Sequence, residues 1–350
     1  MVFEYGISAI FVVNMTYSQF INQACRRLSG LYPEREAKVM AARLLQHYCG
    51  ISSYEHMIEP FGAIAPEVLP FLERAVLQLE QSCPLQYVIG WQMFCDLKIA
   101  VEEGVLIPRQ ETEELVMWVA EYVKSRGFLR HSQRPVDTQM GDWNDNSLKI
   151  LDAASGSGCI ACALASKFRQ AQVFACDISD KALEITAKNF ESCGCHNAKV
   201  FKCDLLSNAA YTLGQFLLRQ VLIDHSLMKQ SGFLDIIVSN PPYVTELEKL
   251  QMRPNVLDYE PQEALFVPDA NPLLFYRALA ELASEVLVQG GAIFMEINEQ
   301  FASEIVALFS NEYFSYVQIR NDIFDKPRMV MAVKSIGYFR KAENTAVGTI

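Results

Sequence analysis

The spacing of hydrophobic positions changes character twice along this chain. From Thr16 to about Glu80 apolar residues recur every three or four positions, with Tyr17, Phe20, Ile21, Ala24 and Leu28 on one face of a helix that Thr16 caps and Gly30 ends. Pro33 opens a second helix running to His47, and Pro66 a third through Leu69, Leu72, Val76 and Leu79. Between Tyr87 and Ile107 the pattern shortens to β-type stretches around Gly90 and Glu102-Glu103-Gly104, which reads as a hairpin. Glu111–Lys124 is helical again. Beyond it, Lys149–Asp152, Gln172–Cys176, Lys199–Cys203, Leu234–Ser239 and Ala292–Ile297 read as buried core strands separated by helices. Tyr313–Ile319 and Met329–Val333 look like a closing antiparallel pair. The alternation predicts an α/β fold with a doubly wound sheet. The expected division is an extension (1–14), a helical domain (15–83), a hairpin linker (84–108), a sheet domain (109–336) and a tail (337–350). Two polar or irregular stretches, 125–146 and 207–232, read as insertions, the second with an apolar helical segment from Phe216 to Leu227.

Candidate chemistry sits at the carboxyl ends of these strands, where open α/β sheets bind ligands. Asn240-Pro241-Pro242-Tyr243 closes the apolar run Leu234–Val238. It offers an amide, a backbone that prolines stiffen, and a flat aromatic face, all suited to a planar NH2 group. Ala153-Ala154-Ser155-Gly156-Ser157-Gly158 follows the first strand as a tight turn into the helix that begins at Cys159, and the second strand ends at Asp177. That carboxylate is placed to accept hydrogen bonds from ribose hydroxyls, as in an adenosine site. Gly156-x-Gly158-x-x-Ala161 also fits the dinucleotide fingerprint, so the loop alone leaves a nicotinamide enzyme open.

Composition narrows the field. In 350 residues, 51% hydrophobic content is ample for two cores, and a net charge of −11 without a basic cluster disfavours grip on phosphate backbones. No direct nucleic-acid partner is expected. Ten cysteines without secretory features indicate reduced thiols and a cytoplasmic setting. Cys159 and Cys162 read as packing residues. Cys193-Gly194-Cys195-His196 lacks the second ligand pair of a zinc spacing, so no metal is expected. The apolar run Ile7–Val13 is too short to span a bilayer, and no membrane association is expected. The helical domain has no strand of nucleotide-binding type, so it reads as a partner-recognition domain, with a simple packing lobe as the alternative.

With these residues in place, the chain resembles the HemK/PrmC-type family, the glutamine methyltransferases of class I peptide chain release factors. The resemblance spans about Thr16 to Lys334. It rests on Pro84-Leu85-Gln86-Tyr87-Val88-Ile89-Gly90, on Leu106-Ile107-Pro108-Arg109-Gln110-Glu111-Thr112-Glu113-Glu114-Leu115, on the glycine loop and Asn240–Tyr243, and on Tyr259-Glu260-Pro261-Gln262-Glu263-Ala264-Leu265. It implies a seven-stranded class I, Rossmann-like methyltransferase sheet, a small all-helical amino-terminal domain joined by a β-hairpin, and S-adenosylmethionine as donor. By the same resemblance Asn240, Pro241, Pro242 and Tyr243 are catalytic. Ala154, Ser155, Gly156, Ser157, Gly158, Asp177, Asp204 and Leu205 hold the donor, with Asn240 at its edge. The Asn240 side-chain oxygen and the Pro241 carbonyl would accept the two N–H groups of the substrate amide, and Tyr243 would pack on its plane. Arg109, Glu111 and Glu260 would form either a buried ion network or part of the substrate pocket.

Two positions depart from the family pattern. Ala154 stands where a glycine is usual, which is tolerable if its φ stays negative. Gln110 replaces a proline after Arg109, which is expected to loosen that segment. Three alternatives differ in class: an adenine amino-methyltransferase acting on DNA or RNA, a nicotinamide dehydrogenase, and a non-catalytic cofactor-binding factor of translation. The acidic charge counts against the first, and Asn240 with Tyr243 against the other two.

Overall fold

The structure, a computed structural model, describes residues 15–126, 147–213, 216 and 232–336. The extension 1–14, the tail 337–350 and most of the stretches 125–146 and 207–232 lie outside the described residues, the Phe216–Leu227 segment among them except for Phe216. Two compact units are present. One runs up to Trp91 and includes Arg253–Tyr259; the other comprises Gln92–Met252 and the chain from Glu260 onward.

The first unit is helical. In α1 (Tyr17–Leu28) the Thr16 hydroxyl accepts from the Gln19 backbone N–H while the Gln19 side chain accepts from Thr16 N–H, so two donors orphaned at the helix start are satisfied reciprocally. It packs with α2 (Glu34–Cys49) and α4 (Leu69–Glu80) around the fully buried Leu28, Leu44, Leu45, Leu72 and Leu79. Arg27 bridges Glu73 at 2.7 Å and Glu80 at 2.6 Å across α1 and α4. Two short helices, α3 (Glu55–Ile58) and α5 (Leu85–Ile89), were not visible in the periodicity, because one turn is too short to show a repeat. The β character expected from Tyr87 is therefore corrected. Pro84 starts a helical turn that Gly90 ends, and strands begin only at Trp91.

The second unit holds the hairpin β1 (Trp91–Phe94) and β2 (Leu97–Ala100) from Gln92 on, then α6 (Gln110–Ser125) and the main sheet. Seven strands run in the order β10-β11-β9-β6-β3-β4-β5. They are β3 (Lys149–Ala153), β4 (Gln172–Asp177), β5 (Ala198–Lys202), β6 (Leu234–Ser239), β9 (Leu287–Glu296), β10 (Phe314–Asn321) and β11 (Pro327–Lys334). A two-stranded parallel patch, β7 (Val244–Thr245) with β8 (Phe266–Val267), stands apart from them. Six strands run in one direction, and only β11, which lies between β9 and β10 and pairs antiparallel with both, runs against them, as in the class I methyltransferase arrangement. From β3 the chain winds outward to β5, then returns to place β6 on the other side of β3. That reversal opens the crevice beyond the carboxyl ends of β3 and β6.

Gln110 is the first residue of α6, with Arg109 as the cap. Proline suits that position because its missing N–H has no helical partner anyway, so glutamine costs no hydrogen bond there. The loosening expected from this departure is opposed by Glu260, which accepts from Ile107 N–H at 3.1 Å and from Arg109 at 2.6 Å.

The loop between β3 and α7 (Cys159–Lys167) is pinned at several points. Ser155 N–H donates to Cys176 O at 3.0 Å, and the Thr186 hydroxyl of α8 (Asp180–Ser192) donates to Gly156 O at 3.1 Å. Gly158 has φ 74°, and a Cβ there would come within 2.7 Å of Thr186 Cγ2. The expectation of a negative φ at Ala154 is corrected: it adopts φ 57°, in the left-handed region that favours glycine. Fully buried Asn189 on α8 ties this loop to the hairpin. Its Oδ1 accepts from Ala100 N–H at 2.8 Å, and its Nδ2 donates to Ala100 O at 3.0 Å and Ser157 O at 2.9 Å.

Asn189→Ala strands one buried donor and two acceptors, and is expected to destabilise the chain by about 2–4 kcal/mol. Urea denaturation checks this; an unchanged midpoint would mean that water replaces all three bonds. Ala154→Gly removes left-handed strain of about 1–2 kcal/mol but adds about 0.5–1 kcal/mol of unfolded-chain entropy. The net expectation is a gain of about 0.5–1 kcal/mol in the same assay, and a loss of stability would contradict the strained backbone.

Candidate active site

The exits of β3, β4 and β6 converge on one cavity of about 290 Å³ in the second unit. Ser239 Oγ, at the end of β6, donates to Ala153 O at 2.7 Å, fastening the start of the Asn240 segment to the start of the glycine loop. Ala154, Ser155, Gly156 and Ser157 line one side. Asp177 lines the next with both oxygens engaged by backbone: Gly156 N–H donates to Oδ2 at 2.9 Å and Ser179 N–H to Oδ1 at 3.0 Å. Burial raises its pKa above the usual carboxylate value, and those two N–H groups oppose the shift. Each oxygen keeps a lone pair for a ligand hydroxyl. Asp204 and Leu205 complete this end, with Ile160, Ile178 and Leu206 supplying apolar wall.

Asn240 and Pro242 form the opposite end with Arg109 and Thr112. Several expected site residues stand elsewhere. Gly158 caps α7 behind the loop, and Pro241 is buried outside the lining. Glu260 is buried beneath the wall, where it clamps Arg109 and Ile107 N–H. This favours the ion-pair role for Arg109 and Glu260. Glu111 is not part of that pair and acts on Glu296 as a like charge.

Tyr243 also departs from its expected place on the substrate amide. Its hydroxyl donates to Glu296 Oε1 at 2.8 Å, its ring packs against the sheet core, and it does not line the cavity. Asn298 Nδ2 donates to Tyr243 O at 3.2 Å, which holds the end of the segment in place. Glu296 in turn accepts at Oε2 from Thr112 Oγ1 at 2.7 Å, and Thr112 Oγ1 accepts from Asn240 Nδ2 at 3.2 Å. Burial raises the Glu296 pKa, while the hydroxyls of Thr112 and Tyr243 and the Arg328 charge pull it down.

The sequence analysis did not single out Thr112 or Glu296 as site residues. Glu296 did carry a signal: an acidic residue directly after the apolar run Ala292–Met295 sits at the sheet edge where ligands bind. Thr112 carried none beyond its place in the arginine-bearing segment.

The cavity suits an adenosyl ligand. Its walls are mainly apolar, with a few convergent polar groups. Ser155 Oγ is buried in the lining loop without a hydrogen-bond partner among the described residues, as expected for an atom that a ligand satisfies.

Comparison with known proteins identifies two regions. A methyltransferase domain model matches residues 150–220, and a PrmC N-terminal domain model matches residues 19–90. A release factor glutamine methyltransferase of Flavobacterium psychrophilum is 34% identical, covering 90% of this chain and 98% of its own length. The protein of that description from Bacteroides thetaiotaomicron is 34% identical over 87% of this chain and 95% of its own. One from Lactococcus lactis is 35% identical over 76% and 83%. With matches of this extent across both units, the chain belongs to the release factor glutamine methyltransferase family.

Proposed function

We propose that this chain methylates the side-chain amide nitrogen (N5) of the glutamine in the Gly-Gly-Gln segment of class I peptide chain release factors, with S-adenosylmethionine as donor. One observation carries the reading: Asn240, an acceptor for amide N–H groups, shares a single cavity with Asp177 and the glycine loop. When bound, S-adenosylmethionine supplies a methyl group activated by its sulfonium. Asp177 would hold the ribose hydroxyls, the backbone from Ala154 to Ser157 the methionine and sugar portions, and Asp204 with Leu205 the adenine edge.

A carboxamide nitrogen is a weak nucleophile because its lone pair is delocalised, so alignment and exclusion of water carry most of the catalysis. Oδ1 of Asn240, which lines the cavity, would take one N–H group and leave the nitrogen's π face open. With the Tyr243 hydroxyl committed to Glu296 and Pro241 outside the lining, alignment falls to Asn240. The adenine-directed alternative gains no support from the relatives.

A short glutamine loop buries too little area for a specific complex, which typically needs about 1,200–2,000 Å² in total. The helical unit would supply the rest. Tyr54, Met57, Ile58 and Phe61 expose large apolar surface there, as a protein-docking element does. No helix among the described residues is long and apolar enough to cross a membrane. The setting proposed is the cytoplasm, where translation terminates.

Asp177→Ala is expected to weaken S-adenosylmethionine binding by about 1.5–3 kcal/mol, the scale of hydrogen bonds to a charged group. Calorimetry reads it directly, and an unchanged dissociation constant would remove Asp177 from the site. For the function itself, labelled S-adenosylmethionine is incubated with a release-factor fragment or duplex DNA, and the label is located. Label on the fragment's glutamine supports the proposal; label on adenine overturns it. In the same assay Asn240→Ala is expected to lower kcat by about 10²–10³ with KM little changed, by analogy with a lost oxyanion-hole contact. Asn240→Asp, which still accepts hydrogen bonds, should retain more activity than Asn240→Ala. A wild-type rate in Asn240→Ala would reduce the segment to a strand exit.

A further inference from the structure

The two ends of an asparagine amide are nearly the same size and shape, so packing cannot decide which of them faces a cavity. Hydrogen bonding has to decide. Around Asn240 it does so through a chain of single protons. Thr112 Oγ1 lies 2.7 Å from Glu296 Oε2, and the Tyr243 hydroxyl lies 2.8 Å from Glu296 Oε1. Burial works against the Glu296 charge, but the two hydroxyls and the nearby Arg328 charge favour it, and as an ionised carboxylate Glu296 only accepts, so both hydroxyls spend their one hydrogen on it. Burial and the Glu296 charge hold the Tyr243 phenol well above its ordinary pKa, so it remains a donor. With its hydrogen committed, Thr112 Oγ1 has only lone pairs to offer Asn240. The amide must then present Nδ2, which it does at 3.2 Å. Oδ1 is left for the cavity that Asn240 lines.

We infer that Thr112 and Glu296 are positioning residues: together they fix the Asn240 amide with its oxygen toward the methyl-accepting nitrogen. The inference rests on the proposed role of Asn240 as acceptor. A substrate amide nitrogen shows the enzyme N–H groups only. Against Oδ1 they find an acceptor; against Nδ2 they meet another donor, and the nitrogen is turned away from its reactive pose. Glu296 thus acts on the substrate without touching it, across Thr112 and Asn240. It comes from β9 and Thr112 from the first turn of α6, so two elements remote in sequence settle the orientation of a third.

The test is a double-mutant cycle on the full chain. S-adenosylmethionine and a release-factor fragment serve as substrates, single-turnover transfer and steady-state kinetics are measured, and donor affinity is read by calorimetry. Thr112→Val removes the hydroxyl but keeps the branched shape. It is expected to lower kcat about 10- to 100-fold, the scale on which outer partners orient a working side chain, while KM and the donor dissociation constant stay within about twofold. Thr112→Ser keeps the hydroxyl and recovers most of the rate. In an Asn240→Ala background Thr112→Val should cost nothing further, because Thr112 acts only through Asn240. Glu296→Gln provides a second route if Thr112→Val melts early. It still accepts from Tyr243 but turns an NH2 toward Thr112, which reverses the chain, and its kcat should fall on the same scale. Wild-type turnover in both Thr112→Val and Glu296→Gln, or losses that add to that of Asn240→Ala, overturns the inference. If Asn240→Ala is slow while Thr112→Val is not, only the positioning roles fail. If Asn240→Ala itself keeps the wild-type rate, the acceptor role fails and the positioning roles fail with it.

Discussion

The parallel pairing of β3 with β6 is the constraint on which the site depends. Ile150 to Ala153 run in register with Ile236 to Ser239, so the two strands end at the same level. The glycine loop leaves one end and the Asn240 segment leaves the other, with Ser239 Oγ on Ala153 O fastening them side by side. A one-residue slip would invert every side chain of β6 and break this alignment. The fully buried Ile236, Ile237 and Val238 oppose such a slip, because both faces of β6 are covered. Core packing therefore sets how far the glycine loop stands from Asn240.

Much of the architecture was legible in the sequence, because buried strands announce themselves as short apolar runs and the longer helices as a repeat. Leu234–Ser239 was identified to the residue. β9 was placed short, since it begins at Leu287 and carries Gly290 and Gly291 within the strand. The turn at Leu85–Ile89 was misread as β, although Pro84 before it and Gly90 after it are the punctuation of a short helix.

The cavity lining was legible in part: Asp177, Asp204 and Asn240 line it as expected, whereas Gly158, Pro241 and Tyr243 stand outside it. Glycines, a strand-end aspartate and a strand-end asparagine advertise themselves by type and place. The sign of φ at Ala154 does not, because alanine normally avoids the left-handed region and nothing local reveals that the turn demands it. The Thr112–Glu296 bond joins positions 184 residues apart, and Asn189 reaches Ala100 across 89. Neither has a local pattern to betray it. Such buried polar contacts are chosen by the tertiary structure, so they appear only once the elements have been packed.

The long separations also give the site an order of assembly as the chain leaves the ribosome. The glycine loop, Asp177 and Asp204 belong to three strands and their exits that are consecutive in the chain, so the donor half emerges as one block. β6 follows with Asn240, and must pair back beside β3 across a sequence separation of 86, which local contacts cannot hasten. Glu296 arrives later still, at the end of β9. A nascent chain that has released Asn240 but not yet β9 therefore holds an asparagine whose amide has no carboxylate to settle its direction. The contacts that fix the Asn240 amide are in this sense a late acquisition of the nascent chain, complete only when β9 has emerged.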